Sequence, residues 1–460
     1  MSFKTHSIQA QHTPWPRAAR RASGVAVAVA LVHLAGCGQA SSLLGNVGMG
    51  SSLSLPAPDA ALVPTVNIAP AVGWPSGVKP VAMGGLAVTA LASNLDHPRW
   101  IHVLPNGDVL VAESNSPAKP DADPGISGAI AKLVMRRAGA GVDSANRITL
   151  LRDVNGDGVA DVRTTFLEGL NSPFGMELVG DYLYVANSDA VLRFAYEAGQ
   201  TRISAKPEKV VDLPAGRINH HWTKNLIASP DGSKLYVTVG SNSNVGERGA
   251  AAEEGRAAIW EVDLKNCKPP CSQRLFATGL RNPNGMGWEP ESKALWTVVN
   301  ERDGLGNDLV PDYLTSVKDG AFYGWPYSYF GAYVDVRVTP PRPDLVAKSV
   351  VPDYALGSHV APLGMVFAKA PALLPLLANG AFIGEHGSWN RKPHSGYKVV
   401  FVPFAKGMPA GLPVDVLTGF LSPEGKAYGR PVGVALGRNG DLLVADDVGN
   451  VVWQVHQRKP

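Results

Sequence analysis

A short pattern recurs six times along the chain, and it limits the possible fold more than any other feature of the sequence. Each copy has a turn with Pro or Gly, an apolar strand, a second turn, and a strand of the type Leu-x-Val-Ala that ends in polar residues. The copies span residues 97–115, 172–189, 225–244, 282–303, 361–387 and 430–450. Their spacing of roughly 65 residues leaves room for four strands and long loops in each repeat.

Repeats of this kind cannot bury their apolar faces alone, so neighbouring repeats must pack against one another and close into a ring. Six copies therefore predict an all-β fold, a six-bladed β-propeller over residues 88–460. Strand-like stretches near residue 90 and at 451–457 are suited to closing the ring. Because Gly and Pro are abundant, a tandem of β-sandwiches is the alternative fold.

Polar side chains follow the second strand of every copy. Equivalent strands end on the same face of a propeller, so these side chains are expected to converge at the mouth of the central channel. They are Glu113, Asn187, Asn242, Glu301, Glu385 with His386, and Asp446 with Asp447. Their convergence predicts a ligand site, although a generic channel would also be polar.

The first 37 residues have the pattern of an export signal. Four basic residues precede an apolar run of about a dozen residues, which is too short for a membrane-spanning helix. The run ends in "LAGC", which resembles a bacterial lipobox and predicts a lipid on Cys37; a plain secretory signal is the alternative. Residues 38–87 are rich in Ser, Gly and Pro and predict a flexible tether. We therefore expect an exported protein, lipid-anchored in the bacterial cell envelope and facing the periplasm or the cell surface.

Charge and cysteine content agree with export. Loss of residues 1–36 removes four basic residues and no acidic ones, which changes the formal net charge from +3 to −1. Nothing basic then remains to favour nucleic acid, and the only expected membrane contact is through the lipid. Cys267 and Cys271 in "NCKPPCS" predict a disulfide, because a metal site needs more ligands and a redox motif normally has two intervening residues.

The stretch "DVNGDGVAD" is a calcium-loop candidate. Asp153, Asn155, Asp157 and Asp161 occupy positions 1, 3, 5 and 9, as at the start of an EF-hand loop. Position 12 is Thr164 where such loops have Glu, so the pattern predicts a short structural calcium loop. A plain acidic turn is the alternative.

Several longer motifs resemble the sorbosone dehydrogenase branch of the soluble glucose/sorbosone dehydrogenase family. They are "HHWTKNLIASPDGSKLYVTVGSNSN", "GLRNPNGMGWEP", "NERDGLGND", "HVAPLGM", "GEHGSWNR" and "GRPVGVAL". The resemblance runs from about residue 90 to the end of the chain. It implies a six-bladed propeller that holds pyrroloquinoline quinone (PQQ) and calcium at the channel mouth.

The resemblance assigns the catalytic base to His221. In this family a catalytic histidine stands ten residues before the Asp of the "PDG" turn, and His221 has that spacing to Asp231. An imidazole suits a general base because its pKa lies near working pH. His220 falls where the glucose enzymes have an acidic residue that supports cofactor and base. A packing role at a strand end is the alternative for His221.

The resemblance also implies a set of cofactor contacts. Arg281 and Asn282 match a pair that lies over the quinone, and Arg391 and Arg430 match basic residues that face its carboxylates. Glu301, in the loop after the fourth repeat, is a further cofactor-binding candidate. Val432 stands where the glucose enzymes have a second arginine.

The family holds calcium partly through backbone carbonyls in the loop after the fourth repeat. In this chain those carbonyls would belong to Arg302 and Asp303, with Asp308 nearby.

The function implied is a PQQ- and calcium-dependent oxidoreductase. It would oxidise a sugar, sugar aldehyde or polyol by hydride transfer to the quinone. The sequence contains no "CxxCH" haem motif, so electrons would pass to an external acceptor, a cytochrome or a quinone. Two alternatives are a calcium-dependent propeller lactonase or hydrolase and a non-catalytic cell-surface propeller.

Overall fold

The computed structural model describes residues 40–41, 43, 47–59, 65–117, 136–369 and 373–458. In this part of the chain, six antiparallel sheets of at least four strands follow one another in sequence. The innermost strand of each sheet contacts the innermost strands of the two neighbouring sheets, so that the contacts run round a closed circle. The prediction of a six-bladed β-propeller is confirmed.

Each blade has four main strands, which follow one another from the channel outward. Blade 1 contains β4 (Pro98–Val103), β5 (Val109–Glu113), β6 (Arg147–Arg152) and β7 (Val162–Leu167). Blade 2 contains β8 (Met176–Val179), β9 (Tyr182–Ala186), β10 (Ala190–Ala195) and β11 (Glu208–Asp212). Blade 3 contains β12 (Leu226–Ala228), β13 (Lys234–Val239), β14 (Ala258–Asp263) and β15 (Gln273–Thr278). Blade 4 contains β16 (Pro283–Trp288), β17 (Leu295–Val299), β18 (Pro311–Ser316) and β21 (Tyr354–Ser358). Blade 5 contains β22 (Pro362–Phe367), β23 (Gly380–Glu385), β24 (Lys398–Ala405) and β26 (Val414–Thr418). Blade 6 contains β27 (Pro431–Leu436), β28 (Leu442–Asp446), β29 (Val451–Gln457) and β3 (Leu86–Ala92).

Shorter elements lie at the edges and in the loops. They are the strands β1 (Met49–Gly50), β2 (Val81–Ala82), β19 (Ser328–Tyr329), β20 (Tyr333–Val334) and β25 (Met408–Pro409), the one-turn α-helix α1 (Pro343–Val346), and the 3₁₀ turns Ala250–Glu253 and Pro375–Leu377.

The ring closes by pairing the first full strand with the last. β3 lies antiparallel to β29, with Leu86 opposite Gln457 and Val88 opposite Val455. The two stretches that the sequence marked for closure therefore complete blade 6 together. Closure removes the two free sheet edges that an open array would leave.

Alternating side chains hold the blades together. In β5, Leu110 and Ala112 pack into the core shared with blade 2, whereas Val109 and Val111 pack into the core shared with blade 6. Successive side chains of a strand point to opposite faces of the sheet, so one apolar strand serves two interfaces. This explains why the Leu-x-Val-Ala strands are apolar throughout.

Part of the predicted tether over residues 38–87 packs on the propeller instead. β1 pairs with β21 of blade 4, and β2 pairs with β26 of blade 5. Trp74 lies against Phe420 and Trp453, with ring centroids 5.4 Å away in each case. Composition predicted flexibility because Ser and Gly dominate this segment, but a few backbone pairings and one partly buried indole order its described residues. Cys37 lies outside the described residues.

The structure also bears on the predicted disulfide and on membrane-spanning helices. Cys267 and Cys271 form a disulfide in the turn between β14 and β15, with Cα atoms 5.3 Å apart, as predicted. Among the described residues, no helix has the length and apolar character needed to cross a bilayer.

The channel has two different ends. The second strand of each blade ends at the face that we call the mouth, where the six polar clusters lie. The opposite face, which we call the rear, contains a cavity of about 680 Å³ lined by the far ends of the innermost strands, including His102, Glu177 and Asp231.

Candidate functional site at the channel mouth

His221 reaches the mouth on an irregular segment. Residues 213–225 form no strand between β11 and β12, so the adjacent histidines are free of strand alternation. A methyl group placed on Gly240 would lie 2.5 Å from His221 Cβ and 2.4 Å from Asn282 Oδ1. His221 and Asn282 therefore flank the same point, as the sequence predicted. His220 is exposed beside His221, with ring centroids 4.6 Å apart and nearly perpendicular planes.

The surroundings of His221 fix its tautomer and its charge. Its Nδ1 lies 2.9 Å from the Ser241 carbonyl oxygen, which can only accept a hydrogen bond. Nδ1 therefore carries the proton, and Nε2 keeps a lone pair. Burial, followed by the positive charge of Arg281 and the neighbouring His220, holds the pKa of His221 well below its ordinary value. The ring is neutral at physiological pH and can accept a proton at Nε2.

Lys224 fixes the turn that carries His221, and the sequence predicted no role for it although it lies within the "HHWTKN" motif. Its side chain is fully buried, and Nζ lies 3.2 Å from the His221 carbonyl oxygen and 3.4 Å from the Trp222 carbonyl oxygen. A third contact, at 3.5 Å, reaches Asn219 Oδ1. Burial lowers the pKa of Lys224 well below its ordinary value. A lysine in "HHWTKN" has no feature in the sequence that distinguishes it from a solvated one.

Arg281 is buried at the mouth, but protein groups occupy its guanidinium. Nη1 donates to the Glu301 carbonyl at 2.6 Å, and Nη2 donates to Asn244 Oδ1 at 2.9 Å and to Asp303 Oδ2 at 3.1 Å. Arg281 therefore acts as a buried positive charge next to His221 more than as an open fork for a ligand. Asn282 is different, because its buried Oδ1 has no hydrogen-bond partner within the described residues.

Asp303 is the centre of an ion-pair group across blades 4 and 5. Its Oδ1 accepts a hydrogen bond from Asn390 Nδ2 at 2.8 Å and lies 3.6 Å from His359 Nδ1. Although burial alone would raise it, the hydrogen bond from His359 and the charge of Arg281 hold the pKa of Asp303 below its ordinary value. Glu301 stands in contrast, because burial raises its pKa to about 8.

The predicted calcium ligands of the loop after blade 4 belong to separate groups in the structure. The Asp303 carbonyl accepts a hydrogen bond from Asn244 Nδ2 at 3.1 Å, and Arg302 directs its side chain to Asp335 at 3.2 Å. Asp308 pairs with Arg391 at 3.1 Å. Within the described residues, no three His, Cys, Asp or Glu side chains form a group that could hold a metal ion.

The two looser arginine assignments differ sharply in structure. Arg391 is occupied by the Asp308 carboxylate and by the Asn307 carbonyl, 3.0 Å from Nε. Arg430 is buried, and its Nε and Nη2 have no hydrogen-bond partner in the described part of the chain. Its Cζ stands 4.9 Å from the centroid of the Tyr397 ring. Arg430 therefore has buried donors without a partner in the described part of the chain, whereas the guanidinium of Arg391 is hydrogen-bonded.

A second charged group, around Asp447, joins blades 5, 6 and 1. Asp447 Oδ2 lies 2.9 Å from His386 Nε2 and 3.5 Å from His97 Nε2, and it accepts a hydrogen bond from Arg99. Although burial favours the neutral acid, His386, His97 and Arg99 hold the pKa of Asp447 well below its ordinary range. The guanidinium of Arg99 also lies 5.7 Å from the Trp222 ring, beside His221. The sequence placed Asp447 and His386 at the mouth but did not predict His97 and Arg99 there.

A signal for one missed residue, His97, exists in the repeats. Four of the innermost strands begin at a proline, at Pro98, Pro283, Pro362 and Pro431. Alignment on this proline places His97 of "HPRW" at the position of Asn282 and Arg430, two residues already assigned to the site.

In the loop from Asp153 to Asp161, backbone N–H groups of the same loop donate hydrogen bonds to the carboxylates. Asp153 accepts hydrogen bonds from the backbone N–H groups of Gly156 and Gly158, at 2.7 and 2.8 Å. Asp161 accepts one from Val154 at 2.7 Å. Calcium binding by Asp153, Asn155, Asp157 and Asp161 stays a prediction.

Comparison with known proteins places the chain in a family. A family model described as TrAA12-like matches residues 132–313 and 346–458, which is more than half of the chain. The chain belongs to the TrAA12-like family. Among solved structures, a Trichoderma reesei protein of Carbohydrate-Active Enzymes Family AA12 superposes with a TM-score of 0.67. The match has 20% sequence identity and covers 82% of this chain and 98% of that one. The same Trichoderma protein has also been solved as a calcium structure.

Two sequence relatives of this TrAA12-like protein are informative. An uncharacterized protein of Borreliella burgdorferi is 28% identical over 311 residues, covering 64% of this chain and 78% of that protein. A pyrroloquinoline quinone-dependent pyranose dehydrogenase of Coprinopsis cinerea is 28% identical over 225 residues, covering 40% of this chain and 30% of that enzyme. The match thus spans under a third of the pyranose dehydrogenase. These similarities relate the chain to quinone-dependent sugar dehydrogenases, without singling out the sorbosone branch.

Proposed function

We propose that this protein is a PQQ- and calcium-dependent dehydrogenase. It oxidises a sugar, a sugar aldehyde or a polyol and passes the electrons to an external acceptor. The observation that carries the proposal is the state of His221, a neutral imidazole whose free Nε2 stands at the mouth of a TrAA12-like propeller. The similarity to a pyranose dehydrogenase supports a sugar as the substrate. The sorbosone branch is our narrower assignment within that class.

His221 acts as the general base. With Nδ1 held by the Ser241 carbonyl, Nε2 takes the proton from the substrate hydroxyl or hydrated aldehyde. The low pKa of the ring keeps it unprotonated between turnovers. Lys224 holds the carbonyls of the same turn and so keeps Nε2 in place.

The mouth has polar groups that fit a flat, tricarboxylate quinone. When bound, PQQ supplies the ortho-quinone that accepts hydride from the substrate carbon. Arg430 offers two buried N–H groups without partners, and Arg99 offers its Nε. Asn282 would contribute its amide. Arg281, which is hydrogen-bonded to Asp303, would act on the cofactor through its positive charge and not through a direct contact. Arg391 could contact the cofactor only after its ion pair with Asp308 had broken.

Calcium is the second proposed cofactor. The oxygens available to it come from the loop that contains Arg302, Asp303 and Asp308, with the buried carboxyl group of Glu301 beside it. The Asp303 carbonyl accepts one hydrogen bond from Asn244, and its second lone pair would be available to the ion. Calcium prefers such carbonyl and carboxylate oxygens.

We further propose that the mature protein begins at a lipidated Cys37 and is held in the bacterial cell envelope. The lipobox-like "LAGC" supports this assignment. A Cys37→Ser variant should appear in the soluble fraction, and unchanged fractionation would count against the lipid.

Reconstitution tests the cofactor assignment. Purified protein is titrated with PQQ in the presence and absence of calcium while quinone absorbance and reduction of a soluble dye are followed. We expect a calcium-dependent absorbance shift and sugar-dependent dye reduction. Hydrolysis of a lactone without any PQQ binding would replace the dehydrogenase with the hydrolase alternative.

A further inference from the structure

The described chain begins at the channel mouth. Ser41 donates its backbone N–H to the Lys392 carbonyl at 2.7 Å and its hydroxyl to Asp308 Oδ1 at 2.6 Å. Its hydroxyl oxygen also accepts a hydrogen bond from Arg391 Nη2 at 3.2 Å. Three contacts therefore hold this residue against two mouth loops, which follow β17 and β23.

Further contacts keep the segment on the same face. Asp59 donates its backbone N–H to the Leu305 carbonyl at 3.0 Å, and Asn67 donates to the Trp389 carbonyl at 2.8 Å. Trp74 then donates to Asp446 Oδ2 at 2.7 Å, at the end of β28. The N-terminal segment thus follows the mouth from blade 4 to blade 6.

The position of Ser41 limits where a lipid on Cys37 can be. Cys37 is three residues before Ala40, and three residues of extended chain span at most about 11 Å. A bilayer that holds Cys37 must therefore lie close to the mouth. The bilayer therefore cannot lie nearer to the rear face, on the other side of the propeller, than to the mouth.

Exposed apolar side chains on the mouth loops fit a lipid surface. Trp389 is 48% exposed, next to the contacts of Ser41 and Asn67. Val336 is 85% exposed on a loop that Arg337 ties to the Gly304 carbonyl, and Ile218 is 43% exposed beside the histidine pair. Tryptophan is enriched where proteins meet the membrane interface, because its ring is apolar and its N–H is polar.

We propose that the channel mouth faces the lipid bilayer. The inference rests on the proposed lipid anchor and adds the orientation that the anchor imposes. Substrate then enters the site through the space between protein and membrane, and an electron acceptor held in the membrane meets the mouth directly.

Single-cysteine labelling tests the orientation on the full-length, lipidated protein. Cys267 and Cys271 are joined in a disulfide, and an acylated Cys37 has no free thiol. A new cysteine is then the only reactive one. Trp389→Cys and Val336→Cys place a fluorophore at the mouth. Leu376→Cys, at a residue 55% exposed on the rear side, is the matched control. Each variant is reconstituted into vesicles whose headgroups carry a nitroxide quencher.

We expect the two mouth labels to lose most of their fluorescence and the Leu376 label to keep most of its own. Equal quenching of all three, or stronger quenching at Leu376, would overturn the orientation, provided that the protein floats with the vesicles. Shielding of the mouth labels only when membrane proteins are added would also overturn it, because the apolar rim would then bind protein.

The same preparation distinguishes failure of the orientation from failure of the anchor or of the enzyme. If the protein and its Cys37→Ser variant both stay out of the vesicle fraction, the anchor is wrong, and the orientation is wrong with it. Dye reduction by PQQ-loaded protein in detergent tests the dehydrogenase separately, because it requires no membrane.

Discussion

Replacement of Lys224 by methionine should separate positioning of the base from stability of the fold. Methionine has a similar length and suits a fully buried site, but it cannot donate to the carbonyls of His221 and Trp222. A buried carbonyl left without a donor costs about 1–3 kcal/mol. Removal of a desolvated ammonium offsets part of that cost. We therefore expect a net loss of about 2 kcal/mol in the free energy of unfolding, and a folded protein.

The effect on turnover should be much larger than the effect on stability. Without Lys224 the turn of His221 can shift, and a misplacement of about 1 Å costs on the order of 10²-fold in rate. We expect kcat to fall by about that factor while KM changes little. The charge of Lys224 also contributes to the low pKa of His221, so the acid limb of the kcat profile should move to higher pH.

Lys234→Met provides the control. Lys234 is a partly exposed lysine that pairs with Glu261 at 3.0 Å on the neighbouring strands of blade 3. The assay is dye-linked sugar oxidation by PQQ-loaded protein, with urea unfolding measured in parallel. A folded Lys224→Met protein with the wild-type kcat and pH profile would refute the positioning role.

Three further experiments test a cofactor contact, a packing contact and a buried acid. Arg430→Gln should weaken PQQ binding by about 10- to 100-fold, as loss of a charge-assisted contact predicts, whereas Arg391→Gln should change it little; equal effects in an equilibrium titration would contradict the distinction. Trp74→Ala should lower the free energy of unfolding by about 3 kcal/mol in urea, whereas Trp389→Ala, at the exposed indole, should stay within about 0.5 kcal/mol. Burial raises the pKa of Glu385 to about 8, so between its unfolded pKa and about pH 8 the folded protein keeps a proton that the unfolded chain releases, and stability falls as pH rises. The melting temperature of Glu385→Gln should therefore rise relative to wild type across that interval, and a constant difference would argue against a buried neutral acid.

The repeat pattern predicted the fold because it contains the physical cause of the fold. Apolar strands such as β5 are buried on both faces, and only a ring of blades provides two neighbours for each of them. Closure could be predicted for the same reason, since β3 and β29 would otherwise be unpaired edges. Composition could not predict the packing of part of the tether on the propeller, because the contacts of Ser41 and Trp74 come from residues hundreds of positions away.

The sequence proposed candidate members of the site, but it gave little information about their pairings. The spacing to Asp231 marked His221 as the candidate base, and the structure places His221 beside Asn282. The sequence could not show that Arg391 pairs with Asp308 while Arg430 has buried donors without a partner among the described residues. That difference depends on loops from separate blades. The sequence could not predict the positioning role of Lys224 for a similar reason, because that role depends on burial of the side chain and not on the residue type.

Turnover by a PQQ-loaded His221→Ala variant tests the central claim most directly. Wild type and variant are titrated with PQQ and calcium to establish equal loading, and sugar-dependent dye reduction is then measured. We expect unchanged quinone affinity and a kcat lower by about 10²- to 10⁴-fold, the usual contribution of a general base. A fully loaded variant that keeps wild-type turnover would show that His221 is not the base.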